Sequence, residues 1–277
     1  MSNSPSIRVA TWNLDHASNS SRPIDRQIEQ ILAIDPDILI LTETCKEVDL
    51  TAHGYRRFTT CPNVYGKYYS AILTSPKVCV KKQLSTYDDV TAVCVQATTP
   101  IGEAIIYGTI ITYHGDRGPD GNSPAWAEHY KAIVDHGNDW ERLLTESGGG
   151  IPLIAGGDFN QTRDGSTGTY GTKQGREMLS QELCRNHLAC LTTENFGATG
   201  KLKVDPKKGW ARNNVDHLCV TADAFSLLKV GAWDHFDDAG NYLSDHNGVY
   251  ADLARNQCPH YGNNLTRLKS VALGQCN

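Results

Sequence analysis

The sequence predicts an α+β fold in which two packed, mostly antiparallel sheets are flanked by helices. Three observations point there. Short apolar runs rich in β-branched residues recur along the chain, and each stops at polar residues. Only three stretches carry a helical period, so strands and helices do not alternate as they would in a doubly wound parallel sheet. The connections are mostly of hairpin length, which suits two stacked sheets.

In chain order, strands are expected over Ile7–Trp12, Asp37–Leu41, Ser70–Thr74, Thr91–Ala97, Ala104–Thr112, Ile151–Ala155, Val215–Thr221 and Gly248–Leu253. The first helix is expected over Pro23–Ala33. It starts on a proline, whose missing N–H costs nothing in a first turn, and it aligns Ile24, Ile28, Ile31 and Leu32 on one face. The second, Pro124–Leu144, repeats Trp126, His129, Tyr130, Ile133 and Trp140 at helical spacing. The third, Gln174–Cys184, carries Met178, Leu179 and Leu183. No internal repeat or low-complexity linker interrupts the chain, and Ser147–Gly150 leads straight into a strand, so one domain over 1–254 is expected. The polar segment 255–277 reads as a C-terminal tail.

The 277 residues suffice for a sizeable core. Hydrophobic residues make up 39% and charged ones 21%, which excludes a disordered or fibrous chain. The net charge of -5 provides no global cationic field, an argument against a high-affinity DNA binder. It does not exclude a nuclease, whose binding can rest on a local basic patch and metal ions. Nine cysteines show no pairing rhythm, and several lie inside apolar runs, as Cys94 and Cys219 do, where a thiol serves as a small hydrophobe. The segment from Cys184 through His187 to Cys190 matches no standard zinc spacing and reads better as a buried structural thiol pair. No charged-then-apolar leader and no membrane-length apolar run is visible, so a cytoplasmic protein, expected to be a monomer, is the reading.

The acidic, amide and imidazole residues fall where strands end. Asn13 and Asp15 close the first strand, Glu43 the second, and His114 follows Tyr113 at the end of another. Asp158 and Asn160 come after Gly156 and Gly157. Asp216 and His217 sit inside Asn213–Leu218, and Asp245 and His246 precede the last strand. Singly, each could cap a turn. Together they would converge on one rim, where a hard cation needs oxygen ligands. The two glycines would let the backbone approach a ligand closely.

The runs Thr11-Trp-Asn-Leu-Asp15, Leu41-Thr-Glu43, Gly156-Gly-Asp-Phe-Asn160, Asn214-Val-Asp-His217 and Ser244-Asp-His246 resemble, in order and spacing, the signature of the endonuclease/exonuclease/phosphatase superfamily. The resemblance spans about Arg8 to Leu253. It implies a four-layer α/β/β/α sandwich and a Mg²⁺-dependent phosphoesterase, with Mn²⁺ as an alternative metal. It implies Glu43 as principal metal ligand with Asn13 and Asp15 beside it, and Asp245 supporting the metal side. Asp158 would orient or deprotonate the attacking water, and Asn160 would hold that water or the phosphate. His246 would contact a phosphate oxygen or transfer a proton, oriented by Asp216. His114 matches a histidine placed near the phosphate in several branches, although Tyr113-His114-Gly115 departs from the usual Thr-His-Leu.

The substrate is less legible. The Trp-Cys-Asp-Arg run of inositol phosphatases is replaced here by Trp210-Ala-Arg-Asn. Lys201, Lys203, Lys207, Lys208 and Arg212 form the most basic stretch, opposed in sequence by Asp205 alone. With Trp210 it could track a nucleic-acid backbone and stack a base, or it could be a solvated loop whose tryptophan packs on the sheet. Arg117 could bind phosphate or pair with Asp116 or Asp120, and 165–173 reads as a substrate loop or a plain connector. A nuclease or phosphodiesterase acting on DNA or RNA is the leading expectation. A phosphomonoesterase or small-molecule diesterase is the alternative. A non-catalytic phosphate-binding module is disfavoured, because every implied ligand position holds a competent side chain.

Overall fold

The structure, a computed structural model, describes residues 5–16, 23–165 and 170–256. Its elements are β1 (Ser6–Asn13), α1 (Ile24–Ile34), β2 (Ile38–Thr44), β3 (Arg56–Thr59), β4 (Tyr68–Thr74), β5 (Cys79–Leu84), β6 (Ala92–Thr99), β7 (Gly102–Ile110), α2 (Ala127–Glu146), β8 (Leu153–Asp158), α3 (Lys173–Arg185), β9 (Leu188–Cys190), β10 (Asp216–Thr221), β11 (Phe225–Trp233) and β12 (Gly248–Arg255).

The strands form two six-stranded sheets, ordered β11-β12-β1-β2-β4-β3 and β5-β6-β7-β8-β10-β9. Each contains one parallel pair, β1–β2 and β7–β8, and is otherwise antiparallel. A parallel pair needs a crossover, and α1 and α2 supply the two. The central strands bury both faces, which is why they read as unbroken apolar runs. In β1, Ile7 and Val9 face the other sheet and pack with Ile40, Ile72, Ile106 and Leu218. The alternate residues Ala10 and Trp12 turn outward to Ile24 and Ile31 of α1. On the far side, Ile105, Tyr107 and Leu153 pack against Ile133, Trp140 and Leu143 of α2 and Leu179 of α3. The result is the expected α/β/β/α order of layers, and each large aliphatic side chain buried in it contributes about 1.5–3 kcal/mol.

A buried polar knot fastens α2 to its sheet. The Tyr107 hydroxyl donates to Asp139 Oδ2 at 3.0 Å and lies 3.0 Å from His136 Nδ1. Burial pushes the His136 imidazole down to about 3, so the ring is neutral.

Four strands, β3, β5, β9 and β11, were not predicted by apolar runs, and they are the four sheet edges. Edge strands expose more of their length: β5 alternates one buried residue among five others, and β11 leaves Leu227 and Leu228 in solvent. β8 runs past Ala155 through Gly156 and Gly157 to Asp158. A Cβ on Gly157, whose φ is +136°, would stand 1.7 Å from the Thr109 carbonyl oxygen. A Cβ on Gly156 would meet Leu218 at 2.8 Å and Ile40 at 3.0 Å. The glycines are therefore required by strand and sheet packing. α2 begins at Ala127 instead of Pro124, since Trp126 adopts a left-handed backbone (φ 71°).

The expected thiol pair of Cys184 and Cys190 is also corrected. Cys184 is exposed, because it lies on the outer face of α3, and Cys190 is half-buried. Cys190 instead stands opposite Cys219 across β9 and β10. No helix among the described residues is long and apolar enough to cross a membrane. Beyond Asn256 the expected tail lies outside the described residues.

Candidate active site

The parallel pairs aim the ends of β1, β2, β7 and β8 at one rim. Antiparallel pairing brings the start of β10 and the approach to β12 to the same rim: Asp216 pairs with Asp158 in register, and Thr11 with Val249. Asn13 joins the two sheets there. Its amide nitrogen donates to Asp158 Oδ2 at 3.1 Å and to Glu43 Oε1 at 3.3 Å, and its Oδ1 accepts the Asp15 backbone N–H at 2.8 Å.

Asp158 is buried, and Asn160 wraps it. The Asn160 backbone N–H donates to Asp158 Oδ1 at 2.8 Å, while its side-chain amide reaches Asp158 Oδ2 at 3.2 Å and the Ile111 carbonyl at 2.8 Å. Burial raises the Asp158 carboxyl to about 7; His246 opposes that rise, and Asp216 and Glu43 add to it. Across from it, His246 Nδ1 lies 2.6 Å from Asp216 Oδ2. Burial alone would depress the His246 imidazolium, but the charges of Asp216, Asp158 and Asp245 outweigh it and lift the group to about 10. Nδ1–H therefore donates to Asp216, and Nε2 faces Asp245 Oδ1 at 3.7 Å. Asp158, Asp216 and His246 hold ligand atoms within 4.8 Å of one another, close enough to share a metal ion.

The segment carrying His246 is tied down from below. Ser244 Oγ donates to the Asn13 carbonyl at 2.6 Å and accepts the His246 N–H at 3.0 Å, and the Trp12 indole N–H donates to the His246 carbonyl at 2.7 Å. Strain collects at the same rim. Asp15, His16, Glu43 and Asn160 all have left-handed backbones, with φ of 50°, 49°, 48° and 50°. Such residues cost about 1–3 kcal/mol each and gather where surrounding structure over-determines a site.

The structure thus brings Asn13, Glu43, Asp158, Asn160, Asp216 and His246 together directly, with Asp15 on Asn13 and Asp245 beside His246. Arg212 joins through Asp245, its Nη2 3.5 Å from Oδ2. His114 joins through Tyr170, whose hydroxyl lies 3.1 Å from Nδ1. Burial first, and then the charge of Asp158, pushes that hydroxyl up to about 12. Tyr113 is half exposed, edge-on to His114 at 5.4 Å. Trp210 is 63% exposed, so it does not pack against the sheet. Arg117 donates to the Ser123 carbonyl at 3.1 Å. The basic stretch is opposed by more than Asp205: Lys201 pairs with Glu194 at 2.5 Å and Lys203 with Asp238 at 2.8 Å. Folding supplies those partners from distant segments. Residues 166–169 of the expected substrate loop lie outside the described residues.

Four contributors escaped the sequence reading. His16 Nε2 contacts Glu43 Oε2 at 3.1 Å, while Tyr170 lies edge-on to His114 at 6.2 Å and Trp126 lies tilted against it at 5.6 Å. Ser244 stood inside a motif but without a task; only its hydrogen bonds reveal one.

Among solved structures, the chain is similar to the endonuclease domain of TRAS1, a telomere-specific non-LTR retrotransposon, at 18% identity and TM-score 0.62, covering 91% of this chain and 100% of that one. It is similar to the human Nocturnin catalytic domain with bound sulfate anion at 19% identity and TM-score 0.61, covering 91% and 96%. Truncated Caenorhabditis elegans TDP2 matches at 17% identity and TM-score 0.60, covering 90% and 98%. At these identities the likeness speaks to the fold. No curated protein matches the sequence. The sequence model described as the Endonuclease/Exonuclease/phosphatase family matches residues 10–246, and the chain belongs to that family.

Proposed function

We propose that this protein is a metal-assisted phosphodiesterase whose substrate class is nucleic acid. The observation that carries the reading is the opposed pair at the rim: an Asp158 carboxyl lifted towards neutrality faces an Asp216-paired His246 imidazolium. Family membership supports a phosphoesterase, and the likeness in fold to the TRAS1 endonuclease domain supports the nucleic-acid substrate.

The donor set fits a divalent cation. Glu43 and Asp158 offer carboxylate oxygens bridged by Asn13, and Asp216 Oδ1 is buried with no hydrogen-bond partner in the structure, an atom that a cation can satisfy. Glu43, Asn13 and Asp15 would hold Mg²⁺ or Mn²⁺, with Asp245 supporting that side. His246 is excluded as a ligand while its ring is protonated. When bound, the cation neutralises charge on phosphoryl oxygens.

The chain's own groups supply the rest. Ionised Asp158 accepts a proton from water and aligns it with phosphorus, while the Asn160 amide keeps the carboxylate from rotating. His246 Nε2–H meets a non-bridging oxygen and steadies the negative charge that grows there, or gives its proton to the leaving oxygen. Asp216 holds the ring in place and keeps it charged. His114, Tyr113, Arg117, Arg212 and Trp210 bind substrate flanking the phosphate.

One observation favours a second reading. Lys201 and Lys203 spend their charges on local acids, which weakens the basic stretch as a track for a long polyanion and favours a small phosphodiester or monoester. Hydrolysis of bis(p-nitrophenyl) phosphate, p-nitrophenyl phosphate and a single-stranded oligonucleotide, each with Mg²⁺ or EDTA, separates the readings. Metal-dependent diester cleavage including the oligonucleotide is expected. Preference for the monoester overturns the diesterase reading.

A further inference from the structure

Outside the catalytic rim, a second buried polar cluster lies beneath the 201–212 loop. Asp205 and His235 are almost wholly buried, at 0% and 2% exposure. Asp205 organises the loop. Its Oδ1 accepts the backbone N–H of Lys207 at 2.8 Å and of Lys208 at 3.1 Å, and the Tyr242 hydroxyl donates to both carboxylate oxygens at 2.7 and 3.0 Å. A carboxyl receiving so many donors is ionised. Burial pushes it up, but those hydrogen bonds outweigh burial and hold it well below the usual carboxylate range.

The orientation of Asn247 is fixed independently. Its Nδ2 donates to the Arg212 carbonyl at 3.0 Å, and its Oδ1 accepts the His235 backbone N–H at 3.3 Å. A flipped amide would set oxygen against oxygen at one end and N–H against N–H at the other. That same Oδ1 lies 2.8 Å from His235 Nδ1, and Asp205 Oδ2 lies 2.9 Å from His235 Nε2. Each ring nitrogen faces an atom that can only accept. Both must carry hydrogen, and a neutral imidazole carries only one.

We propose that His235 is a positioning residue, held as a buried imidazolium, that clamps the 201–212 loop to the segment leading into β12 and so fixes Arg212 at the rim. The clamp has two arms. Through Nε2 the ring holds Asp205 and the turn built on it, where the Asp205 N–H donates to the Trp210 carbonyl at 3.1 Å. Through Nδ1 it holds Asn247, which carries the Arg212 backbone and directly follows His246. Arg212 then pairs with Asp245. The neighbouring Asp234 carboxyl is pushed up by burial and pulled back by the Lys203 N–H and charge. Lys207 sits over the Tyr242 ring at 4.1 Å. If the second ring proton leaves, one of the two acceptors faces a bare lone pair and the clamp loses an arm. The role assigned to Arg212 rests on the phosphodiesterase reading; the clamp itself does not.

The test has a spectroscopic and a kinetic arm. In the wild-type protein labelled with ¹⁵N-histidine, the signal lost in His235→Gln should show two protonated ring nitrogens, and the Arg212 side-chain N–H signal should move in that variant. A single ring proton overturns the proposal. Kinetically, with bis(p-nitrophenyl) phosphate, loss of a charge-assisted hydrogen bond in His235→Gln should raise KM about tenfold with little change in kcat. Combined with Arg212→Ala it should add almost nothing, because both changes remove the same contact. Strictly additive effects overturn the assignment to Arg212. A protein that turns over no phosphate ester yet shows both ring protons, with an Arg212 signal that shifts in His235→Gln, refutes the phosphodiesterase reading and supports the clamp.

Discussion

His246 Nδ1 and Asp216 Oδ2 stand 2.6 Å apart, buried, on segments that meet because the start of β10 and the approach to β12 lie at one rim. The carboxylate does two things to the ring: it fixes which nitrogen faces the cleft, and it keeps the ring charged. Asp216→Asn retains the shape and removes the charge. It should lower kcat by about 10²–10⁴-fold, the scale of a lost proton-transfer partner, and leave KM nearly unchanged. Steady-state kinetics on a diester check this, and a wild-type kcat would remove Asp216 from the mechanism.

The pH profile follows from the two shifts. Asp158 must be ionised and its carboxyl is raised to about 7, so kcat/KM should climb with pH towards that value. His246 must be protonated and is raised to about 10, so activity should hold on a plateau and fall beyond it. The stability linkage has a definite sign. A histidine raised in the folded state stabilises fully below its ordinary value near 6.5, and the contribution is lost as pH rises through about 10. The Tm gap between wild type and Asp216→Asn should therefore shrink on approaching pH 10. A gap that widens there contradicts the account.

Asn13 donates to both Glu43 and Asp158, so it orients the carboxylate proposed to hold the cation and the one proposed to align the water. Asn13→Ala removes that support together with a proposed ligand amide, and should raise the Mg²⁺ concentration for half-maximal activity by at least about 10–100-fold, the range for loss of a ligand's partner alone. A Mg²⁺ titration at fixed substrate measures it, and an unchanged midpoint would place the cation elsewhere.

Gly157 has no room for a side chain. Gly157→Ala would press a Cβ against the Thr109 carbonyl, with a backbone at φ +136° that alanine avoids. A loss of more than about 4 kcal/mol is expected, read by urea denaturation or by failure to recover folded protein. A near-normal midpoint would mean that the β7–β8 pairing is looser than described.

The readable parts of the sequence were those with a single dominant cause. Central strands bury both faces, so β1, β2, β6 and β7 announced themselves as apolar runs, whereas β3, β5, β9 and β11 lie at sheet edges and carry no such signal. Asn13, Glu43, Asp158, Asn160, Asp216 and His246 were legible because each lies at or beside a strand end, in runs that resemble the superfamily signature. His16 and Tyr170 were not, since their positions depend on left-handed turns and loop packing that no periodicity encodes. The basic stretch misled for the same reason: Glu194 and Asp238 reach Lys201 and Lys203 only after folding. The fastening of that loop through Asp205, His235 and Asn247 joins residues 30 and 12 apart in sequence, beyond any motif.

The most direct test of the central claim is nicking of supercoiled plasmid by the wild-type protein and by Asp158→Asn, each with Mg²⁺ or with EDTA. The account predicts nicking by the wild type in Mg²⁺ alone, and a rate lower by about 10²–10⁴-fold in the variant. Nicking that persists in EDTA, or that Asp158→Asn performs at the wild-type rate, would contradict a metal-assisted phosphodiesterase built on this rim.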